Sequence, residues 1–168
     1  MDGQLTEADL ARVAEQLGRV PRGVVDIAAR CHCGAPLVVT TAPRLPDGTP
    51  FPTMYYLTDP GLTAAISRLE ADGEMVKWSE RLDSEPEFAA HYQDAHRAYL
   101  ANRDQLAVKL GEDVPEIAGI SAGGMPTRVK CLHALVGHAL AAGPGVNPVG
   151  DAVLAQLGWQ QATCREGH

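Results

Sequence analysis

Basic residues are scarce in this sequence, and long apolar runs are absent. The 168-residue chain has 14 lysines and arginines against 21 aspartates and glutamates, which gives a formal net charge of −7. This balance lacks the electrostatic footprint of a duplex-binding protein and argues against a nucleic-acid partner. No apolar stretch approaches the ~20 residues of a membrane-spanning helix. The opening residues, MDGQLTEADLARVAEQLG, also lack the pattern of a secretory signal. We therefore expect a cytoplasmic protein that does not associate with membranes.

Several well-known functional motifs are missing as well. The glycine spacings of nucleotide-binding and dinucleotide-binding loops do not occur. The sequence contains no Gly-x-Ser-x-Gly elbow and no recognisable catalytic triad. Internal repeats and low-complexity linkers are also absent, so a single domain over residues 1–168 is expected at this length. Whether the protein is an enzyme stays open.

The order of strand-like and helical segments predicts an α+β fold. Within residues 1–20, a capping box that begins at Thr6 and apolar residues at helical spacing predict a helix. Residues 21–58 hold β-branched runs bounded by Gly and Pro, which predict a small antiparallel sheet at about residues 22–58. Residues 59–158 are helical in pattern, and residues 159–168 form a tail. This order favours a sheet packed against a C-terminal set of helices, which we expect on one face of the sheet.

Four helix starts are predicted within the helical region, three of them from capping residues. Asp59-Pro60 supplies an N-cap and a first-turn proline. Ser84-Glu85-Pro86-Glu87 resembles a capping box at the start of a long helix. After a loop at residues 111–124, a helix is expected from about Thr127 to Ala142. Asn147-Pro148 then begins the last helix.

The cysteines suggest a metal site. In a reducing compartment, thiols or metal ligands are more typical than disulfides. Thiolate and imidazole are ligands that zinc prefers, and two cysteines that alternate along a strand point to the same side. The Cys-x-Cys spacing differs from the more usual Cys-x2-Cys. The chain's cysteines are Cys31, Cys33, Cys131 and Cys164. The predicted zinc ligands are Cys31, Cys33, Cys131 and His133, with His138 in reserve.

Helix geometry sets a condition on this zinc site. If residues 127–142 form one regular helix, Cys131 and His133 lie about 200° apart around its axis and cannot share an ion. His133 would then be a core histidine. Shared ligation requires the helix to begin near Cys131. The metal would have a structural role, and without it the cysteines would be small buried hydrophobes.

An alternative function is an enzyme or sensor that binds a phosphorylated small molecule. The glycine-rich segment at residues 122–127 leads into the predicted helix start, where free backbone N–H groups attract anions. Arg128 and Lys130 follow this start, and Arg44 lies in a proline-rich turn. These three cations are the candidate anion-binding residues. They could equally face solvent, with the glycines serving only as turns.

Two further interpretations concern the helical region. On the long helix, His96 shares a face with Tyr92, Tyr99 and Arg103 and could perform acid–base chemistry. An aromatic stripe at helical spacing is also typical of core packing. The acidic residues around Gly73, among them Glu70, are interpreted as a solvated patch.

The protein could also be an interaction module without chemistry, in which an exposed apolar face recruits a protein partner.

Five phrases of the sequence are similar to a known family. They are Arg30-Cys31, Asp47 to Thr53, Tyr55 to Pro60, Lys130 to Leu135 and Asn147 to Gly150. On these phrases, over most of residues 20–155, the chain resembles the bacterial family known as domain of unknown function 501. The resemblance implies a ligand cluster of Cys31, position 59, Cys131 and His133. Many members carry Cys where this chain has Asp59, and Asp can also ligate a metal.

Overall fold

The computed structural model describes residues 4–160, so Cys164 and most of the predicted tail lie outside the described residues. One helix comes first in this range, three consecutive strands follow it, and the remaining helices come after the strands. In chain order they are α1 (Glu7–Leu17), β1 (Val24–Arg30), β2 (Pro36–Thr41), β3 (Tyr55–Leu57), α2 (Pro60–Ala71), α3 (Glu74–Ser84), α4 (Pro86–Leu110), a 3-10 turn (Pro115–Ile117), α5 (Leu132–Ala142) and α6 (Pro148–Gln156). Among the described residues, no helix has both the length and the apolarity needed to cross a membrane.

The strands form one antiparallel sheet in the order β1-β2-β3. β2 is central and almost entirely buried, whereas β3 is short and pairs only with β2. The predicted α+β class is therefore confirmed, with the sheet inside the predicted range. Because strands come first and most helices later, the C-terminal helices are free to pack together over the sheet.

The two faces of the sheet bury different clusters. Val38 belongs to the main core, together with Leu57 and side chains from α2 to α6. Val39, its neighbour on β2, belongs to a smaller cluster with Ile27 and Val13 of α1. Successive strand residues point to opposite faces of the sheet. α1 therefore covers the face that the C-terminal helices do not cover. The expectation of helices on one face alone is wrong for α1.

α1 is joined to β1 by a carboxylate that serves two roles. The predicted capping box is present: the Asp9 N–H donates to the Thr6 hydroxyl and the Thr6 N–H donates to the Asp9 carboxylate, both at 3.1 Å. The same carboxylate accepts two hydrogen bonds of 2.8 Å from the Arg30 guanidinium. Asp9 therefore fixes both the start of α1 and its position on the sheet.

α5 sits at the centre of the helical layer because two glycines permit close backbone approach. A Cβ at Gly137 would lie 2.9 Å from the Tyr55 carbonyl oxygen, so α5 rests directly against β3. A Cβ at Gly150 would lie 2.3 Å from the Leu135 carbonyl oxygen, so α6 rests directly against α5. Both distances are shorter than a Cβ tolerates. The N-terminal end of α5 is consequently held in a fixed place beside the sheet.

α4 holds the chain that leads into β3. The Tyr99 hydroxyl accepts hydrogen bonds from the N–H groups of Met54 and Tyr55, at 2.5 and 3.3 Å. The Arg103 guanidinium donates to the carbonyls of Pro52 and Ile117, at 3.0 and 2.8 Å. On the face of α4 that was weighed for acid–base chemistry, Tyr99 and Arg103 are thus buried and bonded to backbone groups. His96 is only partly buried, and its Nδ1 atom lies 2.7 Å from the Ser121 hydroxyl.

The structure corrects two predicted helix starts. α4 begins after Glu85 with Pro86 in its first turn, but no side chain caps it, and the Ser84 hydroxyl donates to the preceding turn instead. α5 begins at Leu132 rather than near Thr127. The starts predicted at Asp59-Pro60 and Asn147-Pro148 are confirmed, each with a side-chain cap.

Candidate metal centre

Three side chains with metal-binding atoms meet where the end of α2 approaches the start of α5. Glu70, Cys131 and His133 each place one ligand atom so that all three atoms lie within 4.8 Å of one another. All three residues are partly buried. Carboxylate, thiolate and imidazole are the three kinds of side chain that bind zinc in proteins. The cluster is therefore a candidate centre for a metal ion.

A glycine loop places Cys131 ahead of the helix. Cys131 is the N-cap of α5, with extended backbone angles (φ −149°, ψ 107°). The Lys130 N–H donates to the Gly123 carbonyl at 2.8 Å, which holds the chain extended just before the cap. Gly123 has a φ of +66°, and a Cβ there would lie 2.7 Å from the side chain of Leu135. The condition for shared ligation is thus met, because Cys131 and His133 are not two positions on one regular helix.

Contacts to α2 orient the His133 ring. Its Nε2 atom lies 3.2 Å from the Thr63 carbonyl oxygen and 3.2 Å from the Ser67 hydroxyl. A carbonyl can only accept, so Nε2 carries a hydrogen. Nδ1 lies 3.2 Å from Glu70 Oε2 on the other side of the ring. His133 is therefore fixed with Nδ1 turned toward the cluster rather than packed as a core histidine.

Glu70 is the member that sequence reasoning missed, because it was assigned to a solvated acidic patch. Its Oε2 atom also accepts a 2.8 Å hydrogen bond from the Leu132 N–H, the first backbone donor of α5. An acidic side chain in the last turn of α2 opposes that helix dipole but complements the dipole at the start of α5. In the sequence, the available signal for Glu70 was a carboxylate near the C-terminal end of a helix, where the helix dipole disfavours negative charge.

The cluster favours positive charge between its members. The hydrogen bond with His133 lowers the pKa of Cys131, and the Ala134 backbone N–H acts in the same direction. The same hydrogen bond, together with the Glu70 charge, raises the pKa of His133 to about 8. The described geometry therefore favours the charged forms of Cys131 and His133, a thiolate and an imidazolium, over their neutral forms.

Cys131 and His133 open onto a cleft of about 430 Å³. β3 and the residues before it also line this cleft, and α2 contributes Thr63. Cavities of this size are typical of small-molecule sites. The wall residues from the β3 segment are Thr53, Tyr55, Tyr56 and Leu57.

The other predicted ligands lie outside this three-residue group. Cys31 is buried at the end of β1, where its Sγ lies 3.7 Å from His32 Nδ1, and Cys33 is exposed. The Asp59 carboxylate caps α2 through a 2.9 Å hydrogen bond from the Leu62 N–H. His138 is fully buried in α5. A four-ligand set that includes Cys31 and Cys33 stays a prediction.

The candidate anion-binding residues are not part of the cleft wall. The Arg44 guanidinium is held by the Glu116 carboxylate, at 2.9 and 3.1 Å, and by two backbone carbonyls. Arg128 and Lys130 are exposed in the extended segment before α5. Because α5 begins at Leu132, the helix N-terminus that was expected to assist them is not at Thr127. A shared anion site for these three cations stays a prediction.

The described residues thus define an α+β protein with a Glu/Cys/His cluster that faces a cleft. The family described as protein of unknown function (DUF501) matches residues 27–155, and the chain belongs to this family. The family resemblance noted in the sequence is thereby confirmed. Neither a curated protein nor a solved structure matches the chain.

Proposed function

We propose that this protein binds one metal ion, zinc by the chemistry of its ligands, through Glu70, Cys131 and His133. The Nδ1–Oε2 separation of 3.2 Å supports this set. Zinc bonds to nitrogen and oxygen of about 2.0–2.1 Å place neighbouring ligands of a tetrahedron about 3.3 Å apart. The separation of these two atoms is therefore close to that of two ligands of one zinc ion.

The orientation of His133 carries the proposal. Its Nε2–H group is held by the Thr63 carbonyl, an arrangement that commonly fixes metal-binding histidines. The Nδ1 atom then faces a carboxylate oxygen, with a thiol nearby. A lone pair turned toward a carboxylate is repulsive unless a proton or a metal ion lies between them. The Cys131 thiol would add a soft ligand to an ion at this position. A proton shared between His133 and Glu70 would give the thiol no such role.

The ion would keep one coordination position open to the cleft. Three protein ligands and one exchangeable position are typical of catalytic zinc sites, whereas structural sites use four protein ligands. Cys131 and His133 both line the cleft, so the fourth position faces that space. The site therefore fits a functional ion better than the structural role expected from the sequence.

Elemental analysis of the full chain, purified without chelators or added metal, tests this proposal. We expect about one equivalent of zinc in the wild type, and at least about tenfold weaker binding after Cys131→Ser or His133→Gln. Cys33→Ser is the matched control because Cys33 is an exposed cysteine outside the group. It should retain the full metal content.

Thiol alkylation provides a second readout that does not depend on stability. Iodoacetamide should modify Cys131 slowly in the metal-loaded protein and faster after a chelator is added, while the rate at Cys33 stays constant. Two results would overturn the proposal. One is a wild type that neither carries zinc nor binds it on titration; the other is metal content lost in Cys33→Ser but kept in Cys131→Ser.

A further inference from the structure

We infer that Cys131 makes the metal centre sensitive to peroxide, because oxidation of its sulfur removes a ligand and releases the ion into the cleft. This inference rests on the proposed function and deepens it by naming how the occupancy of that site is regulated. Two observations carry it: the composition of the ligand set and the position of Cys131 on the cleft.

The ligand set contains one atom that mild peroxide oxidises. A thiolate sulfur is converted to sulfenic acid, whereas carboxylate oxygen and imidazole nitrogen are not changed under the same conditions. A thiol bound to zinc is deprotonated by the ion itself, so the sulfur is nucleophilic whenever the site is occupied. After oxidation, Glu70 and His133 would be the remaining ligands of the group. Two ligands hold zinc more weakly than three, and the ion would leave.

The cleft gives peroxide a route to this sulfur. Cys131 is half-buried and lines the cleft of about 430 Å³ together with His133, whereas Glu70 is not among the lining residues. An oxidant that enters the cleft therefore meets the oxidisable member of the ligand set. Cys31, by contrast, is only 4% exposed and does not line the cleft. Reactive cysteines are those with thiolate character and access from solvent, and Cys131 in the loaded site has both.

The chemistry needs only hydrogen peroxide and, for its reversal, a small thiol. The Cys131 thiolate attacks one peroxide oxygen; an S–O bond forms, the O–O bond breaks and hydroxide leaves. The sulfur is oxidised to sulfenic acid, and the peroxide is reduced. A first molecule of a small thiol such as glutathione then forms a mixed disulfide with Cys131 and releases water. A second molecule breaks this disulfide, which restores the Cys131 thiol and yields the disulfide of the small thiol.

Zinc release from the full, zinc-loaded chain tests this inference. A small molar excess of hydrogen peroxide is added with pyridylazoresorcinol, whose absorbance reports released zinc, and with dimedone, which traps sulfenic acid. We expect release at least about tenfold faster than in the sample without peroxide, since a lost ligand weakens metal binding by this order. Mass spectrometry should place dimedone on Cys131. In a sample oxidised without dimedone, incubation with glutathione should restore zinc binding.

Two variants assign the release to Cys131. Cys131 is the N-cap of α5, where aspartate is a favoured residue, and a carboxylate can also bind zinc. Cys131→Asp should therefore fold, take up zinc and keep it in peroxide. The double variant Cys33→Ser and Cys164→Ser removes an exposed cysteine and the one outside the described residues. It should release zinc at the wild-type rate.

The outcomes separate the two proposals. Zinc that stays bound to the wild type in peroxide, or dimedone on Cys131 without zinc release, overturns the peroxide sensitivity and leaves the metal site standing. Equally fast release from the wild type and a zinc-loaded Cys131→Asp variant also overturns it. A chain that does not bind zinc before peroxide is added overturns the metal site, and the peroxide sensitivity fails with it.

Discussion

The backbone N–H of Leu132 donates a 2.8 Å hydrogen bond to the Glu70 carboxylate, which lies 62 positions earlier in the chain. The bond satisfies one of the orphan donors at the start of α5 and brings the end of α2 against it. Glu70 therefore has a structural contact that is independent of any metal. Its two contributions can be separated by substitution.

Glu70→Gln should separate metal binding from helix capping. The amide oxygen can still accept from Leu132, so we expect the free energy of unfolding of the metal-free protein to fall by less than about 1 kcal/mol. Zinc affinity should fall at least about tenfold, since an amide is a weaker ligand than a carboxylate. Glu70→Ala should lower both quantities. Metal titration and urea unfolding measure them; an unchanged affinity in Glu70→Gln would remove Glu70 from the ligand set.

Burial of His138 should make the protein less stable in acid. The ring is fully buried among Tyr55, Tyr99 and Asn147, and burial lowers its pKa to about 4. The unfolded chain protonates this group below about pH 6.5 while the folded protein stays neutral. Stability is therefore retained above pH 6.5 and lost as the pH falls toward 4, by roughly 3 kcal/mol.

The comparison of wild type with His138→Gln isolates this contribution. Urea unfolding at several pH values between 4 and 6.5 should show a smaller loss of stability in the variant, whatever its stability at neutral pH. The same pH dependence in both proteins would mean that His138 is not kept neutral by the fold.

Asp9→Asn should weaken the attachment of α1 to the sheet. The Arg30 hydrogen bonds hold the pKa of the Asp9 carboxyl well below its usual range, so its extra stabilisation is present above about pH 4 and is lost as the pH falls further. At pH 7 we expect a loss of about 1–2 kcal/mol in the free energy of unfolding.

The exposed Arg12–Glu15 pair provides the control for this substitution. Its side chains are 46% and 71% exposed, so Glu15→Gln should change stability by less than about 0.5 kcal/mol. Urea unfolding at pH 7 and pH 3 compares the three proteins. A difference between wild type and Asp9→Asn that does not shrink at pH 3 would contradict the ion-pair explanation.

Gly150→Ala should destabilise the contact between α5 and α6. Its Cβ would lie 2.3 Å from the Leu135 carbonyl oxygen, so the helices must separate, at a cost of about 1–3 kcal/mol. Gly61→Ala is the matched control in α2, because its Cβ meets no atom closer than 3.6 Å. That change should be neutral or stabilising by up to about 1 kcal/mol. Thermal unfolding distinguishes them, and similar melting temperatures for the two variants would contradict the close packing.

The fold class and most of the elements followed from local signals. Asp59-Pro60 and Asn147-Pro148 specify helix starts through their own side chains and ring geometry, so neighbouring sequence is enough to predict them. The α5 start was wrong because residues 127–130 have a helix-compatible pattern. The N–H groups of Arg128 and Lys130 instead bond to the carbonyls of Gly124 and Gly123, whose positive φ angles turn the chain back. These bonds are local, but they depend on the glycine turn and not on the pattern of residues 127–130.

The candidate site was only half predictable because one of its members is distant in sequence. Cys131 and His133 were recognised by residue type, and the structure brings them together with Glu70. Glu70 has no nearby sequence feature that identifies its partner, since Leu132 and His133 reach it only through the approach of α5 to α2. Local patterns report helix ends and ligand chemistry, but not which distant ends will meet.

The hydroxyl of Tyr99 also determines where the chain can change in length. It binds the N–H groups of Met54 and Tyr55, and Arg103 binds the carbonyl of Pro52, so residues 52–55 are held in register by α4. An insertion there would displace the cleft wall. The exposed tip at Asp47-Gly48 carries no such tie to α4, and insertions are tolerated best at exposed turns. A tag or reporter peptide placed between these two residues should therefore leave the cleft intact.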